Sequence, residues 1–132
     1  MGDESHFENA TFPGLNVDNG VAEQMLTNAR AVVKLDHETD PKAVAALDDA
    51  GLTVYHAVRR ATDVLFPGTQ AVVIGAGGLC HIGTQTLATI TSTGITVIDQ
   101  SEEALELTKT VGADHTVVAG RSSDPNAVTK QV

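Results

Sequence analysis

The fold is decided by the stretch Gln70-Ala71-Val72-Val73-Ile74-Gly75-Ala76-Gly77-Gly78-Leu79-Cys80. Its opening segment, Gln70–Ile74, is an apolar run with two adjacent valines, which is typical of a strand buried on both faces of a parallel sheet. The glycines that follow predict a tight turn. After the turn, the residues of one helix face recur at helical spacing: Leu79, Ile82, Thr86 and Ile90. The stretch therefore predicts a strand, a glycine-rich turn and a helix in direct succession.

Downstream of this stretch the same alternation continues. Ile95–Ile98 predicts a second strand. Ser101 predicts the N-cap of the next helix, and Gly112 predicts its end. Thr116–Val118 predicts a third strand. Asp124-Pro125 predicts a further helix start. The order β-α-β-α-β predicts an α/β fold, namely part of a Rossmann doubly wound parallel sheet.

Upstream of it the pattern is helical and then irregular. Asp40-Pro41 predicts a helix start, and Gly51 separates that helix from a second one that runs to about Val64. The predicted inner face of the second helix contains four residues: Leu52, Tyr55, Val58 and Ala61. Two short pieces, around Val21–Leu26 and Ala31–Leu35, predict strands.

The glycine-rich turn predicts a site for a pyrophosphate. Gly75 allows the tight turn, Gly77 lets the backbone approach the anion, and the helix N-terminus offers free N–H groups and a positive dipole. The predicted cofactor contacts in the turn are Gly75, Ala76, Gly77, Gly78 and Leu79.

Asp99, at the end of the second predicted strand, completes the dinucleotide fingerprint. Its carboxylate would accept hydrogen bonds from the adenosine ribose and repel a 2′-phosphate, and Gln100-Ser101 brings no cation, so NAD is favoured over NADP. An alternative interpretation is that the glycines only make a turn and that Asp99 only caps a helix.

Cys80 stands where the fingerprint normally has its third glycine. We expect its thiol to push the helix outward or to change the packing of the strand, at a cost of about 1–3 kcal/mol where packing is tight. A redox role for this thiol is a weaker hypothesis because the chain has no second cysteine. His81 either reaches a cofactor phosphate or lies incidentally on the surface.

The composition of the chain limits which classes of partner it can bind. Seventeen acids against eight bases give a net charge of -9, which argues against nucleic acid or an anionic membrane surface. The stretch between Asp63 and Asp99 has no charged residue, but it is interrupted too often to span a membrane. A single cysteine excludes an internal disulfide and fits a reducing compartment. Acids at the N-terminus do not fit a signal peptide, so we expect a cytoplasmic protein, and so acidic a surface would also suit a salt-rich cytoplasm.

Five motifs occur in an order that resembles zinc-dependent alcohol dehydrogenases of the medium-chain dehydrogenase/reductase superfamily, particularly archaeal members. They are Phe12-Pro13-Gly14-Leu15, Asn19-Gly20-Val21-Ala22-Glu23, Leu47-Asp48-Asp49-Ala50-Gly51-Leu52-Thr53, His81-Ile82-Gly83 and Gly112-Ala113-Asp114. The resemblance implies that residues 1–38 are the end of a GroES-like catalytic domain. It implies that residues 39–132 are hinge helices and the first half of an NAD-binding domain.

The chemistry implied by the resemblance is oxidation of a small alcohol to a carbonyl compound, with hydride passing to NAD and zinc polarising the oxygen. Asp49 is the metal candidate, because it lies where many members have a zinc-ligating cysteine and some an aspartate. One ligand is not a zinc site, and Asp49 is equally read as a solvated acid near a helix end. No residue of this chain is predicted to be catalytic.

Several departures from the family pattern lead us to expect an incomplete enzyme. Phe7 stands at a structural-zinc cysteine, and the other catalytic zinc ligands and the later strands are not in the sequence. We therefore expect a fragment with little turnover of its own, whose exposed edges pair in a homo-oligomer or with a complementing chain.

Three other functions stay open. A nucleotide-binding module without turnover fits the missing zinc ligands. A zinc-free quinone reductase relative is disfavoured by Asp49. An S-adenosylmethionine methyltransferase shares the glycine turn and the acid, but its fold has no place for the upstream segments.

Overall fold

Three parallel strands in the order β1-β2-β3 form the sheet of the computed structural model, which describes residues 8–120 and 123–131. The strands are β1 (Gln70–Ile74), β2 (Gly94–Asp99) and β3 (His115–Val118). The helices are α1 (Pro41–Val44), α2 (Ala50–Ala61), α3 (Gly78–Ile90), α4 (Glu102–Thr110) and α5 (Pro125–Thr129). Short 3-10 turns occupy Ala29–Ala31, Ala45–Leu47 and Thr62–Val64. The predicted α/β architecture with a β-α-β-α-β order is confirmed.

The chain divides into two compact units between Glu38 and Thr39. The second unit contains the whole sheet and all five helices. In the first unit, the described part has a single bridge between Pro13 and Val17 and one 3-10 turn. The strands predicted around Val21–Leu26 and Ala31–Leu35 are therefore wrong. A strand needs a hydrogen-bonded neighbour, and residues 8–38 provide none for these two segments.

Three helix starts follow the predicted capping. The predicted break at Gly51 is wrong, because α2 begins at Ala50 and contains Gly51. Asp40 Oδ1 accepts a hydrogen bond from the Lys42 amide at 3.0 Å, with proline at the first helical position of α1. Ser101 Oγ accepts from the Ala104 amide at 3.2 Å, and Asp124 Oδ1 accepts from the Asn126 amide at 3.0 Å. Each of these side chains satisfies one of the amides that a helix start leaves unpaired.

The core of the second unit lies between the sheet and its helices. Its buried members are Val58, Ala76, Leu87, Ile95, Val97 and Leu105. These are aliphatic residues, as the low aromatic content requires. Two buried threonines, Thr84 and Thr108, join them, and their hydroxyls donate to the carbonyls of Cys80 and Leu105 at 2.9 and 2.8 Å. A hydroxyl that bonds back to its own helix can be buried without leaving an unpaired donor.

Burial of β1 on both faces is not observed. Ala71 and Val73 are half-buried against the core, but Val72 is 45% and Ile74 80% exposed. An apolar run does not distinguish one covered face from two, and the described residues cover only one face of this strand.

The inner faces of α2 and α3 are also rotated from those predicted. On α2, Val58 is buried and Ala61 half-buried as predicted, but Leu52 and Tyr55 are exposed. Val54 instead approaches α3 at Gly83, where an added Cβ would lie 3.7 Å from it. On α3 the buried residues are Gly83, Thr84 and Leu87, whereas Leu79 is 51% exposed. The two helices meet through small residues, which apolar periodicity alone does not detect. Among the described residues, no helix is both long enough and apolar enough to cross a bilayer.

Candidate functional site

The candidate site is the turn between β1 and α3. Gly75 has φ +101°, a conformation that side chains other than glycine rarely adopt, and its amide donates to the Ile98 carbonyl at 2.7 Å. This bond ties the start of the turn to the end of β2. Gly77 is the N-cap of α3 and has extended backbone angles, φ -72° and ψ -178°.

The turn presents a row of unpaired amides. In the described structure no acceptor is present for the N–H groups of Gly77, Gly78, Leu79 and Cys80, and the first amide of α3 that is paired belongs to His81, which donates to the Gly77 carbonyl at 2.8 Å. A helix start with free amides attracts an anion because the N–H groups and the helix dipole act together. Gly77 and Gly78 are exposed, and nothing lies within 4 Å of a Cβ added at either, so this side of the turn is open.

Asp99 lies directly beside the turn. Its Oδ2 accepts from the Ala76 amide at 2.7 Å, and its Oδ1 accepts from the Ser101 amide at 2.8 Å. The structure thus brings together all six predicted cofactor residues at the carboxyl ends of β1 and β2: Gly75, Ala76, Gly77, Gly78, Leu79 and Asp99. That edge is where open parallel sheets bind their ligands. The bond from Ala76 to Asp99 was not predicted from the sequence. Every residue type except proline has a backbone amide, so the sequence gives no signal for this donor.

The Ser101 and Ala76 amides lower the pKa of Asp99 from its ordinary value of 3.8, with a smaller opposite effect of burial and a further lowering by the Gln100 amide. Amide donors favour the charged carboxylate.

This pKa has a consequence for acid stability. Because the pKa of Asp99 is lower in the folded chain, ionised Asp99 contributes stability above the pKa of the unfolded chain, and that contribution is lost as pH falls through the folded pKa. We expect wild type to be more stable than Asp99→Asn at pH 7 and the difference to shrink below about pH 4. Urea unfolding of both proteins at a series of pH values measures it. A difference that is independent of pH would contradict this expectation.

Cys80 is accommodated beneath the turn. Its Sγ lies 3.5 Å from the Ile74 carbonyl oxygen and 3.4 Å from the position of a Cβ added at Gly75. The thiol thus packs against the last residue of β1 and the first glycine of the turn. It has no disulfide partner.

His81 follows on α3 and is half-buried. Its Nδ1 is buried without a hydrogen-bond partner in the described structure. A contact between His81 and a cofactor phosphate stays a prediction.

Asp49 precedes α2, and its carboxylate makes no capping hydrogen bond there. In residues 8–120 and 123–131, no group of three or more His, Cys, Asp or Glu side chains could hold a metal ion. The described part of the chain therefore does not fit a zinc ion at Asp49, whose role as a ligand stays a prediction. The predicted loss of the structural zinc at His6-Phe7 lies outside the described residues.

Known proteins resemble this chain in sequence and in fold. No protein-family model matches the chain. An NAD-dependent alcohol dehydrogenase from Sulfurisphaera tokodaii is 36% identical over 127 residues, which are 95% of this chain and 35% of that protein. The crystal structure of the alcohol dehydrogenase from Aeropyrum pernix matches with 43% identity and a TM-score of 0.81, over 89% of this chain and 35% of the other.

A more distant structure extends the likeness. Acetophenone reductase from Geotrichum candidum, solved in complex with NAD, matches with 28% identity and a TM-score of 0.75, over 90% of this chain and 34% of the other. The chain thus spans about a third of the length of the relatives it matches, 35% in the first case. Over that span, the chain is similar in sequence to these alcohol dehydrogenases, and its fold matches the Rossmann-like part of theirs.

Proposed function

We propose that the chain binds NAD through the turn between β1 and α3, and that it derives from an enzyme that oxidises an alcohol to an aldehyde or ketone. The observation that carries the proposal is the row of free amides at Gly77–Cys80 beside the carboxylate of Asp99. The identity of 36% to an NAD-dependent alcohol dehydrogenase supports the same assignment.

The residues present fit the adenosine half of NAD. The amides at the start of α3 would bind the pyrophosphate, and the open space at Gly77 and Gly78 would let it approach the backbone. The ribose hydroxyls would donate to the lone pairs of Asp99 that its two amide partners leave free. Gln100 and Ser101 carry no positive charge for a 2′-phosphate, which supports NAD over NADP.

In the reaction, this chain would bind and orient the cofactor. When bound, NAD takes up the hydride that leaves the alcohol carbon. The residues of the turn would hold the cofactor by its phosphates and adenosine ribose. No residue of this chain is proposed as an acid, a base or a nucleophile.

Zinc belongs to the parent enzyme in this proposal, with Asp49 as the single candidate ligand of this chain. A nucleotide-binding module without turnover is the second candidate function. It is favoured by the lack of a three-ligand group among the residues that the structure describes.

The chain would comprise parts of two domains. Residues 1–38 would be the end of a GroES-like catalytic domain, and residues 39–132 would be hinge helices and the first half of the NAD domain.

Exposed apolar side chains such as Leu26 and Ile74 would be covered in a homo-oligomer or by a complementing chain. A net charge of -9 would suit a salt-rich medium, and a single cysteine fits a reducing compartment such as the cytoplasm. A melting midpoint that does not rise in molar salt would argue against salt adaptation.

Calorimetric titration of the full chain with NAD and NADP, in low and high salt, tests the function. We expect saturable NAD binding, and NADP binding weaker by at least about tenfold because Asp99 repels the 2′-phosphate. Equal affinities would remove Asp99 as the determinant of the preference. Absence of saturable binding by a cooperatively melting chain would refute the proposed function.

A further inference from the structure

The carboxylate of Asp99 makes two hydrogen bonds through two different oxygens. One oxygen accepts from Ala76 in the turn, and the other accepts from Ser101 at the start of α4. From this arrangement we infer that Asp99 is a positioning residue for the phosphate-binding turn, in addition to the ribose contact proposed above. The inference rests on the proposed function.

The end of β2 holds the first two amides of the turn. The Gly75 amide donates to the Ile98 carbonyl at 2.7 Å, and the Ala76 amide donates to Asp99 Oδ2 at 2.7 Å. The free amides follow immediately, from Gly77 onward. Two anchors therefore set the orientation of the peptide planes that would meet a pyrophosphate. One is the backbone carbonyl of Ile98, and the other is the side chain of Asp99.

The Asp99 anchor is the one that a substitution can remove. Ala76 is 7% exposed, and its N–H has no other acceptor in the described structure. Without the carboxylate oxygen, a buried donor stays unpaired unless the turn moves to expose it. Either outcome disturbs the peptide planes next to the free amides.

An asparagine at this position cannot replace both bonds. An aspartate offers two acceptor oxygens, whereas an asparagine offers one oxygen and an NH₂ group that only donates. If its oxygen bonds to Ser101, the NH₂ group faces the Ala76 amide, and two donors then oppose each other. If its oxygen bonds to Ala76 instead, the bond to Ser101 is lost. Asp99→Asn therefore keeps the size of the side chain and breaks one of its two hydrogen bonds, whereas Asp99→Ala breaks both.

A ligand without ribose hydroxyls distinguishes the positioning role of Asp99 from its role in ribose recognition. ADP presents both the pyrophosphate and the ribose hydroxyls, and 2′,3′-dideoxy-ADP presents the pyrophosphate without the hydroxyls. If Asp99 only recognises the ribose, Asp99→Asn weakens ADP and leaves dideoxy-ADP unchanged. If Asp99 also positions the turn, the variant weakens both ligands, and we expect the Kd of dideoxy-ADP to rise about 5- to 10-fold.

Asp114, which directly precedes β3, offers a matched control because its carboxylate also bonds to a backbone amide next to β2. Its Oδ2 accepts from the Ile95 amide at 2.7 Å, which is the same kind of bond at the opposite end of β2 from the turn. Asp114→Asn should leave both Kd values unchanged. Amide hydrogen exchange without ligand gives a second readout, since we expect Ala76 to exchange faster in Asp99→Asn and not in Asp114→Asn.

The outcomes are distinct. Weaker binding of both ligands, with faster exchange at Ala76, supports the positioning role. Unchanged dideoxy-ADP affinity, or unchanged exchange at Ala76, in both Asp99→Asn and Asp99→Ala overturns it and leaves the proposed function intact. Equal weakening in Asp114→Asn also overturns it, because the effect is then one of general stability. If wild type binds neither ligand, the proposed function fails and this inference fails with it.

Discussion

Gly112→Ala is expected to lower the free energy of unfolding by about 2–4 kcal/mol, the largest stability effect that we predict for a single added methyl group. Gly112 follows α4 with φ +117°, where side chains are strained. A Cβ at this position would also lie 2.5 Å from the Cβ of Ala88 on α3, which is much closer than two carbon atoms can approach. Backbone strain and steric overlap therefore add at this residue. Urea unfolding of the two proteins measures the difference.

Two further variants separate strain from overlap. Gly68→Ala is the control for strain, because Gly68 has φ +91° and nothing within 4 Å of an added Cβ. We expect it to cost about 1–2 kcal/mol. Ala88→Gly removes the atom that overlaps, so it should be less harmful in the Gly112→Ala background than in wild type. A Gly112→Ala loss no larger than that of Gly68→Ala would show that the overlap with Ala88 is relieved at no cost.

Gly77→Ala is expected to raise the Kd for NAD by about 10- to 100-fold while the stability of the chain changes by less than about 0.5 kcal/mol. The backbone of Gly77 has angles that any residue adopts, and nothing lies within 4 Å of an added Cβ. The methyl group therefore costs the free chain little. It would stand in the space in front of the free amides, where the pyrophosphate is proposed to bind. Calorimetric titration gives the Kd, and urea unfolding gives the stability.

The control adds the same methyl group outside the turn. Gly20 lies in the first unit, and a Cβ there meets only the flexible side chain of Met25, at 3.3 Å. Gly20→Ala should leave the NAD affinity unchanged. If Gly77→Ala binds NAD as tightly as wild type does, the pyrophosphate does not contact this turn. A large loss of stability in Gly77→Ala would instead show that the turn is packed more tightly than the structure shows.

The order of elements and the position of the candidate site were predictable from local signals. The run at Gln70–Ile74, the glycines after it and the cap at Ser101 each specify their own segment, because turn, cap and strand preferences act over a few residues. Asp99 was predictable for the same reason, since the end of a strand next to a glycine-rich turn is a position with known chemistry. Whether these residues hold a dinucleotide stays a prediction.

Burial was not predictable in the same way. The run at β1 predicted two covered faces, but Ile74 is 80% exposed, and the strand predicted around Val21–Leu26 does not form. Both errors concern partners that are distant in sequence. Apolar character shows that a residue can be buried, and only the neighbours present in the folded chain decide whether it is.

The sequence by itself thus determined the β-α-β-α-β order, the capped helix starts at Asp40, Ser101 and Asp124, and the set of residues that surround the turn, because these depend on backbone preferences of neighbouring residues. Only the tertiary structure decided that α2 and α3 meet through Val54 and Gly83, that Cys80 packs on Gly75, and that Asp99 bonds to the amide of Ala76. These contacts depend on the distance between segments that the fold brings together, and on backbone atoms that every residue type shares.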